Sequence, residues 1–133
     1  MFISKKIPST IAPVFMKNQS FYKRMTFAME GIVSAWRMEA SFRLQGCAAV
    51  AVIVVLAWSR PAAIWWALLL LNCSLVLAAE LFNTAIEQLI DHLHPELHPS
   101  IKIAKDCAAG AVLMLSLSAV CVFVAFLIET VWI

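Results

Sequence analysis

The sequence predicts an all-α membrane protein with an N-terminal amphipathic surface helix and three transmembrane helices. Three observations carry that reading. Of 133 residues, 63% are hydrophobic and only 14% charged, more apolar surface than a soluble chain of this size can enclose. Three stretches, 40–58, 62–91 and 102–130, are long and apolar enough to cross a bilayer. Ahead of them, apolar residues recur at helical spacing instead of running continuously. Ten Lys and Arg against eight Asp and Glu leave a formal charge of +2. No basic patch is interleaved with aromatics, so nothing points to nucleic acid.

Residues 1–19 are expected to form a cytoplasmic tail. Lys5 and Lys6 give a charged start, but Pro8, Pro13 and Lys17 interrupt the stretch after them, so the segment lacks the apolar core of a signal peptide. From Ser20 to Gln45, Phe21, Met25, Ala28, Ile32, Ala35 and Trp36 recur at helical spacing, while Lys23, Arg24, Glu30, Arg37 and Glu39 mark a polar side. The pattern predicts an interfacial helix, its surface part over 20–38, with Trp36 as anchor. Glu39 and Arg43 stand one turn apart and read as an ordinary i,i+4 ion pair, worth about 0.2–0.5 kcal/mol.

The apolar run Leu44 to Trp58 is short of the roughly 20 residues a bilayer needs. Taken back to Ala40, with Arg43 snorkelling, it becomes a span over 40–58. Ser59-Arg60-Pro61 breaks it, and Pro61 suits the first turn of the next helix. The second span, 62–91, passes without a turn signal from an apolar run into AELFNTAIEQLID, with Trp65 and Trp66 near its outer interface. His92 to Ser100, holding Pro95 and Pro99, reads as a loop. Its histidines, His92, His94 and His98, read as loop residues and not metal ligands, because no cysteine or fixed helical pair accompanies them. The third span covers 102–130. Cys47, Cys73, Cys107 and Cys121 lie in or beside apolar runs without CxxC spacing and read as reduced, small core residues. Lys and Arg number seven up to Arg43, one in the first connection, two around the second and none after the third span. The positive-inside rule therefore places the N-terminus and the 92–106 segment in the cytoplasm.

The chemistry gathers on the second span. Glu80, Asn83, Thr84, Glu87 and Asp91 fall at offsets 0, 3, 4, 7 and 11 and share one helix face. Leu81, Phe82, Ala85, Ile86, Leu89 and Ile90 occupy the other. Three carboxylates on one stripe at a membrane boundary need cations, water or a substrate as partners, because unpaired charge there is expensive. Glu39 from the surface helix and Lys105-Asp106 from the third span reach the same interfacial level. Carboxylates so placed suit Mg²⁺, which takes one or two protein carboxylates plus substrate phosphates. A lysine beside them neutralises phosphate charge. A separate carboxylate at the hydrocarbon boundary, made more basic by burial, accepts a proton from a lipid hydroxyl. Such parts describe phosphoryl transfer, which depends on positioning and charge neutralisation. There is no GxxxxGK[ST], GxGxxG, HRD or DFG element, and Gly31, Gly46 and Gly110 are the only glycines. Any nucleotide site must be built from helix faces.

Glu80-Leu81-Phe82-Asn83-Thr84-Ala85-Ile86-Glu87 with Asp91, followed by Ala104-Lys105-Asp106 and Ala108-Ala109-Gly110-Ala111-Val112, resembles the small prokaryotic integral-membrane diacylglycerol kinases and their Gram-positive relatives, the undecaprenol kinases. Upstream, Ala35-Trp36, Glu39-Ala40 and Phe42-Arg43 are similar to the family's surface-helix motif. The resemblance covers roughly residues 20 to 132. It implies a homotrimer of three-span protomers in the bacterial inner membrane, with MgATP sites at subunit boundaries. By position, Glu80 would be the general base on the lipid hydroxyl, Glu39 and Glu87 would hold Mg²⁺, and Asn83 would position the reacting groups. Lys105 would contact phosphates with Asp106 supporting it. Asp91, Glu96 and His98 would lie on the nucleotide side, and Trp36, Arg43 and Ala109 would border the lipid. The chain departs from the pattern at Leu44-Gln45, where enterobacterial members carry Gln-Glu. It departs also at Phe27, which replaces a family tyrosine near the nucleotide, and at Ser20, which replaces an arginine. The His94-Pro95 and His98-Pro99 pairs look closer to the undecaprenol-kinase branch. The implied reaction is diacylglycerol to phosphatidic acid, with undecaprenol as the alternative lipid.

Two readings from other classes compete. A non-enzymatic membrane subunit would pair its acids with a partner's cations, but gives no reason for Asn83, Glu87, Lys105 and Glu39 to meet at one level. An ion or proton pathway through Glu80 and Glu87 would need polar residues across the outer half of the spans. Residues 62–71 and 112–128 offer only Ser116 and Ser118.

Overall fold

The computed structural model describes residues 19–93, 96 and 98–132, the side chains of 131 and 132 excepted. The expected tail over residues 1–18, and His94 and Pro95, lie outside the described residues. The chain divides into two units, residues up to Val33 and residues from Ser34 onward. Every described element is helical: α1 (Phe21–Met38), α2 (Ala40–Ser59), α3 (Ala63–Leu93) and α4 (Pro99–Trp132). The last three are long and apolar enough to cross a membrane.

In the first unit, the Ser20 hydroxyl accepts a 3.4 Å hydrogen bond from the Lys23 backbone N–H, the geometry of a helix N-cap. The Thr26 hydroxyl donates to the Tyr22 carbonyl one turn back.

The second unit opens on a break. Periodicity carries one amphipathic pattern to Gln45, but the backbone leaves the helix at a single residue, Glu39, which is extended at φ −108°, ψ 118°. The carbonyls that α1 thereby exposes are taken by Arg43, whose Nη1 donates to Trp36 O at 3.0 Å and Arg37 O at 3.2 Å. No ion pair joins Glu39 to Arg43 among the described residues. The guanidinium instead satisfies helix-end carbonyls that have no partner within the helix.

Helix α2 ends at Arg60, whose N–H bonds Leu56 O and whose backbone is left-handed at φ 48°. Only residues 60–62 separate α2 from α3, so the two run antiparallel. Helix α3 reaches Leu93, which puts His92 in its last turn and not in a loop. Helix α4 begins at Pro99, three residues before the predicted start. Proline fits a first helical position, where its missing N–H is no loss. His98 caps that start, its Nδ1 accepting the Ser100 N–H at 3.2 Å and its carbonyl the N–H groups of Ile101 and Lys102.

Helix α3 packs against both α2 and α4. The core sits where α2 turns into α3. Leu56, Leu69 and Phe126, one from each span, are at most 2% exposed and are ringed by Val52, Val55, Trp65, Trp66, Val122 and Phe123. Trp65 meets Phe126 edge-on at 5.6 Å, and its indole N–H donates to Glu129 Oε1 at 3.1 Å. Further along, the spans part around a cavity of about 430 Å³ lined mainly by alanine and valine, with a Gln45–Ser116 hydrogen bond of 3.3 Å at its wall. Outside, large apolar side chains such as Trp58, Leu44 and Met114 face outward, the arrangement that suits hydrocarbon surroundings. Cys47, Cys107 and Cys121 are also exposed and only Cys73 is half-buried, all as free thiols. Small apolar side chains expected in the core thus lie on the outer surface, because a bundle that meets lipid need not turn them inward.

Phe126→Ala removes a fully buried ring from the Leu56–Leu69–Phe126 core. It is expected to cost about 3 kcal/mol through the cavity it leaves, read as a lowered midpoint of thermal unfolding in detergent micelles.

Candidate active site

At the other end of the bundle α2 begins, α3 ends and α4 begins. Glu80 lies there on α3 at 3% exposure, with Thr84 one turn on at 7%. The carboxylate is held across the helix interface: Ser41 Oγ, in the first turn of α2, donates to Glu80 Oε2 at 3.1 Å. Along the same face Asn83 Nδ2 donates to Glu87 Oε1 at 3.1 Å. The Asn83 Oδ1 and Thr84 Oγ1 atoms are buried without a hydrogen-bond partner. An unpaired buried polar atom costs about 1–3 kcal/mol, and this face keeps hydrogen-bonding capacity that nothing among the described residues takes up.

The stripe on α3 therefore meets different partners along its length. Glu80 is tied to α2, Asn83 and Glu87 to each other, and Asp91 to α4 through an ion pair with Lys105. Lys105 is half-buried, and Asp91 exposed. Asp106 does not support Lys105; it pairs with Lys102 one turn earlier at 2.5 Å. That exchange follows from helix geometry, since residues 102 and 106 share a face whereas adjacent residues 105 and 106 diverge.

Glu39 is half-buried, and its side chain caps no backbone group of α2. Glu96 is exposed, and His98 closes the start of α4. Arg43 is half-buried and engaged with the end of α1, while Ala109 is exposed on α4. Phe27 is half-buried on α1, within the first unit. The Trp36 indole lies across Gly46 of α2 and meets Phe42 edge-on at 6.3 Å.

Among the described residues, no three Asp, Glu, His or Cys side chains gather closely enough to hold a metal by themselves. Glu87 lies beside Asn83 on α3, and its carboxylate is the kind of hard oxygen donor that a divalent cation takes when phosphate oxygens supply its remaining ligands.

The sequence pattern described as prokaryotic diacylglycerol kinase matches residues 26–127 of this chain. The chain belongs to that family. It is 40% identical over 97 residues to a diacylglycerol kinase of Synechocystis, covering 72% of this chain and 55% of that relative. It therefore spans little more than half the length of the Synechocystis protein. A diacylglycerol kinase of Escherichia coli is 35% identical over 98 residues, covering 74% of this chain and 80% of its own. The undecaprenol kinase of Bacillus subtilis is 37% identical over 92 residues, covering 69% and 75%. Relatives carrying both names thus match this chain at similar identity.

Two residues at the site carry more weight in the structure than in the sequence reading. Ser41 sits inside a span otherwise read as hydrocarbon and gives no periodic signal. Its only clue is that the short connection after α2 places it opposite Glu80. Gly46 stands out only through the close approach of Trp36. A Cβ added there falls 2.6 Å from Trp36 Cζ3, so Gly46→Ala should swing the indole off α2 and break its contact with Phe42. The expected loss is about 1 kcal/mol, read as a lowered unfolding midpoint. The loss should vanish in a Trp36→Ala background if the clash is its cause.

Proposed function

We propose that the protein is an ATP-dependent kinase that phosphorylates the hydroxyl of a membrane lipid alcohol, diacylglycerol being converted to phosphatidic acid. The observation that carries this reading is Glu80: a carboxylate enclosed at the polar end of an apolar bundle, held by Ser41, with buried, unpaired Asn83 and Thr84 oxygens on the same helix face. Family membership supports the same conclusion.

Glu80 accepts the proton of the lipid hydroxyl as its oxygen attacks the γ-phosphorus and the bond to the β–γ bridging oxygen breaks, releasing ADP. Proton acceptance by a placed carboxylate is worth about 10²–10⁴-fold in rate. Asn83, its amide held by Glu87, offers Oδ1 to position the reacting groups. Glu39 and Glu87 would hold Mg²⁺, which would neutralise triphosphate charge. Lys105 contacts the phosphates. Its pair with Asp91 is partly exposed, and pairs of this kind contribute at most about 1 kcal/mol, so exchange of Asp91 for phosphate is cheap. Asp106 acts with Lys102, one turn earlier on α4. Asp91, Glu96 and His98 would lie on the nucleotide side, and Trp36, Arg43 and Ala109 on the lipid side.

The working form is a homotrimer in the bacterial inner membrane, with the N-terminus and the α3–α4 connection cytoplasmic and sites completed at subunit boundaries. In support, small residues at Ala108, Ala109, Gly110 and Ala111 permit close helix approach.

The test is direct. Purified protein in mixed micelles with MgATP should transfer phosphate to diacylglycerol; transfer to undecaprenol alone assigns the other lipid, and transfer to neither, from folded protein, overturns the kinase reading. Glu80→Gln should lower kcat at least 100-fold while leaving nucleotide binding largely intact. Glu87→Gln should instead raise the KM for MgATP as well as lowering turnover, with the lipid KM unchanged.

A further inference from the structure

We infer that Ser41 is a positioning residue for the Glu80 carboxylate, fixing Oε2 so that Oε1 is presented to the lipid hydroxyl. The inference rests on Glu80 acting as the base.

The hydroxyls elsewhere on these helices show what a serine or threonine does by default. Thr26, Ser59 and Ser74 each donate to the carbonyl four residues back on their own helix, the usual local bond of a helical hydroxyl. Ser41 does not. The carbonyl four residues before it is Arg37 O, which lies across the break at Glu39 and receives the Arg43 guanidinium. With that bond made by Arg43, the Ser41 hydroxyl reaches across to α3 and donates to Glu80 at 3.1 Å. One break in the backbone and one arginine thus turn a hydroxyl from a local bond to a bond with the buried acid.

The consequence for a base is geometric. A glutamate has three side-chain torsions, and a proton acceptor must lie within about 2.6–3.2 Å of its partner. Among the described residues, Ser41 supplies the one hydrogen bond to the Glu80 carboxylate, at Oε2. Holding one oxygen restricts those torsions and leaves the other oxygen free. An error of about 1 Å in such placement can cost about 10²-fold in rate.

Four proteins test this: the parent, Ser41→Ala, Ser41→Thr and Glu80→Gln, all assayed for lipid phosphorylation with kcat and both KM values resolved. Ser41→Ala should lower kcat about tenfold or more with both KM values within twofold of the parent, while Ser41→Thr, which keeps the hydroxyl, recovers most of the loss. In isotope-edited infrared spectra, the Glu80 carboxylate stretch should shift in Ser41→Ala and return in Ser41→Thr. An unchanged kcat in Ser41→Ala, with Glu80→Gln inactive, overturns the role of Ser41 and leaves the base in place. Equal loss in Ser41→Thr and Ser41→Ala, at parental thermal stability and without an infrared shift, also overturns it. Near-normal turnover in Glu80→Gln would instead remove the base reading itself.

Discussion

A carboxylate shut between helices that otherwise offer hydrocarbon must find a partner, and Glu80 is that carboxylate. Among the described residues its surroundings supply a single serine hydroxyl, from the first turn of the neighbouring span. The desolvation of such a group is too costly to leave unmatched, so the contact constrains how α2 and α3 meet. The neighbouring polar atoms, Asn83 Oδ1 and Thr84 Oγ1, complete a face whose hydrogen-bonding capacity is only partly used inside the chain.

The two ends of the bundle divide the work. Where α2 turns into α3, the spans close on Leu56, Leu69 and Phe126, and Trp65 is fixed by both Phe126 and Glu129. Packing of this kind holds membrane helices together without help from water exclusion. Toward the polar end the spans separate around the apolar cavity, and cross-helix contacts become hydrogen bonds and an ion pair: Ser41 to Glu80, Gln45 to Ser116, Lys105 to Asp91. A tightly packed end supports one where polar contacts can be exchanged.

Much of this is legible in the sequence. Three apolar runs announce three spans because length and hydropathy alone decide whether a helix can cross a bilayer. The stripe from Glu80 to Asp91 follows from helical period. The features that escape sequence reading are local and specific. Nothing in composition marks Glu39 as the residue where the helix breaks, since an extended single residue carries no signature without glycine or proline. Pro99 reads as a loop residue although it also suits a helix start. Lys105 and Asp106 look like a pair because they are adjacent, whereas a helix turns adjacent side chains apart and gives Lys105 to Asp91. Placing the cysteines in a core follows the logic of water, which does not hold where the outer surface meets lipid.

The short connection at Arg60 has a consequence for the acid site at the far end. From Ser41 to the end of α2 is eighteen residues, and from the start of α3 to Glu80 is seventeen. At about 1.5 Å per residue these are arms of roughly 27 Å and 26 Å. The left-handed residue at the turn therefore works as the pivot of a folded ruler whose marks coincide at the serine and the glutamate. Adding or removing one residue on either arm would slide those marks apart and rotate one of them by about 100°, so a change made at the turn would be felt as a lost hydrogen bond at the acid.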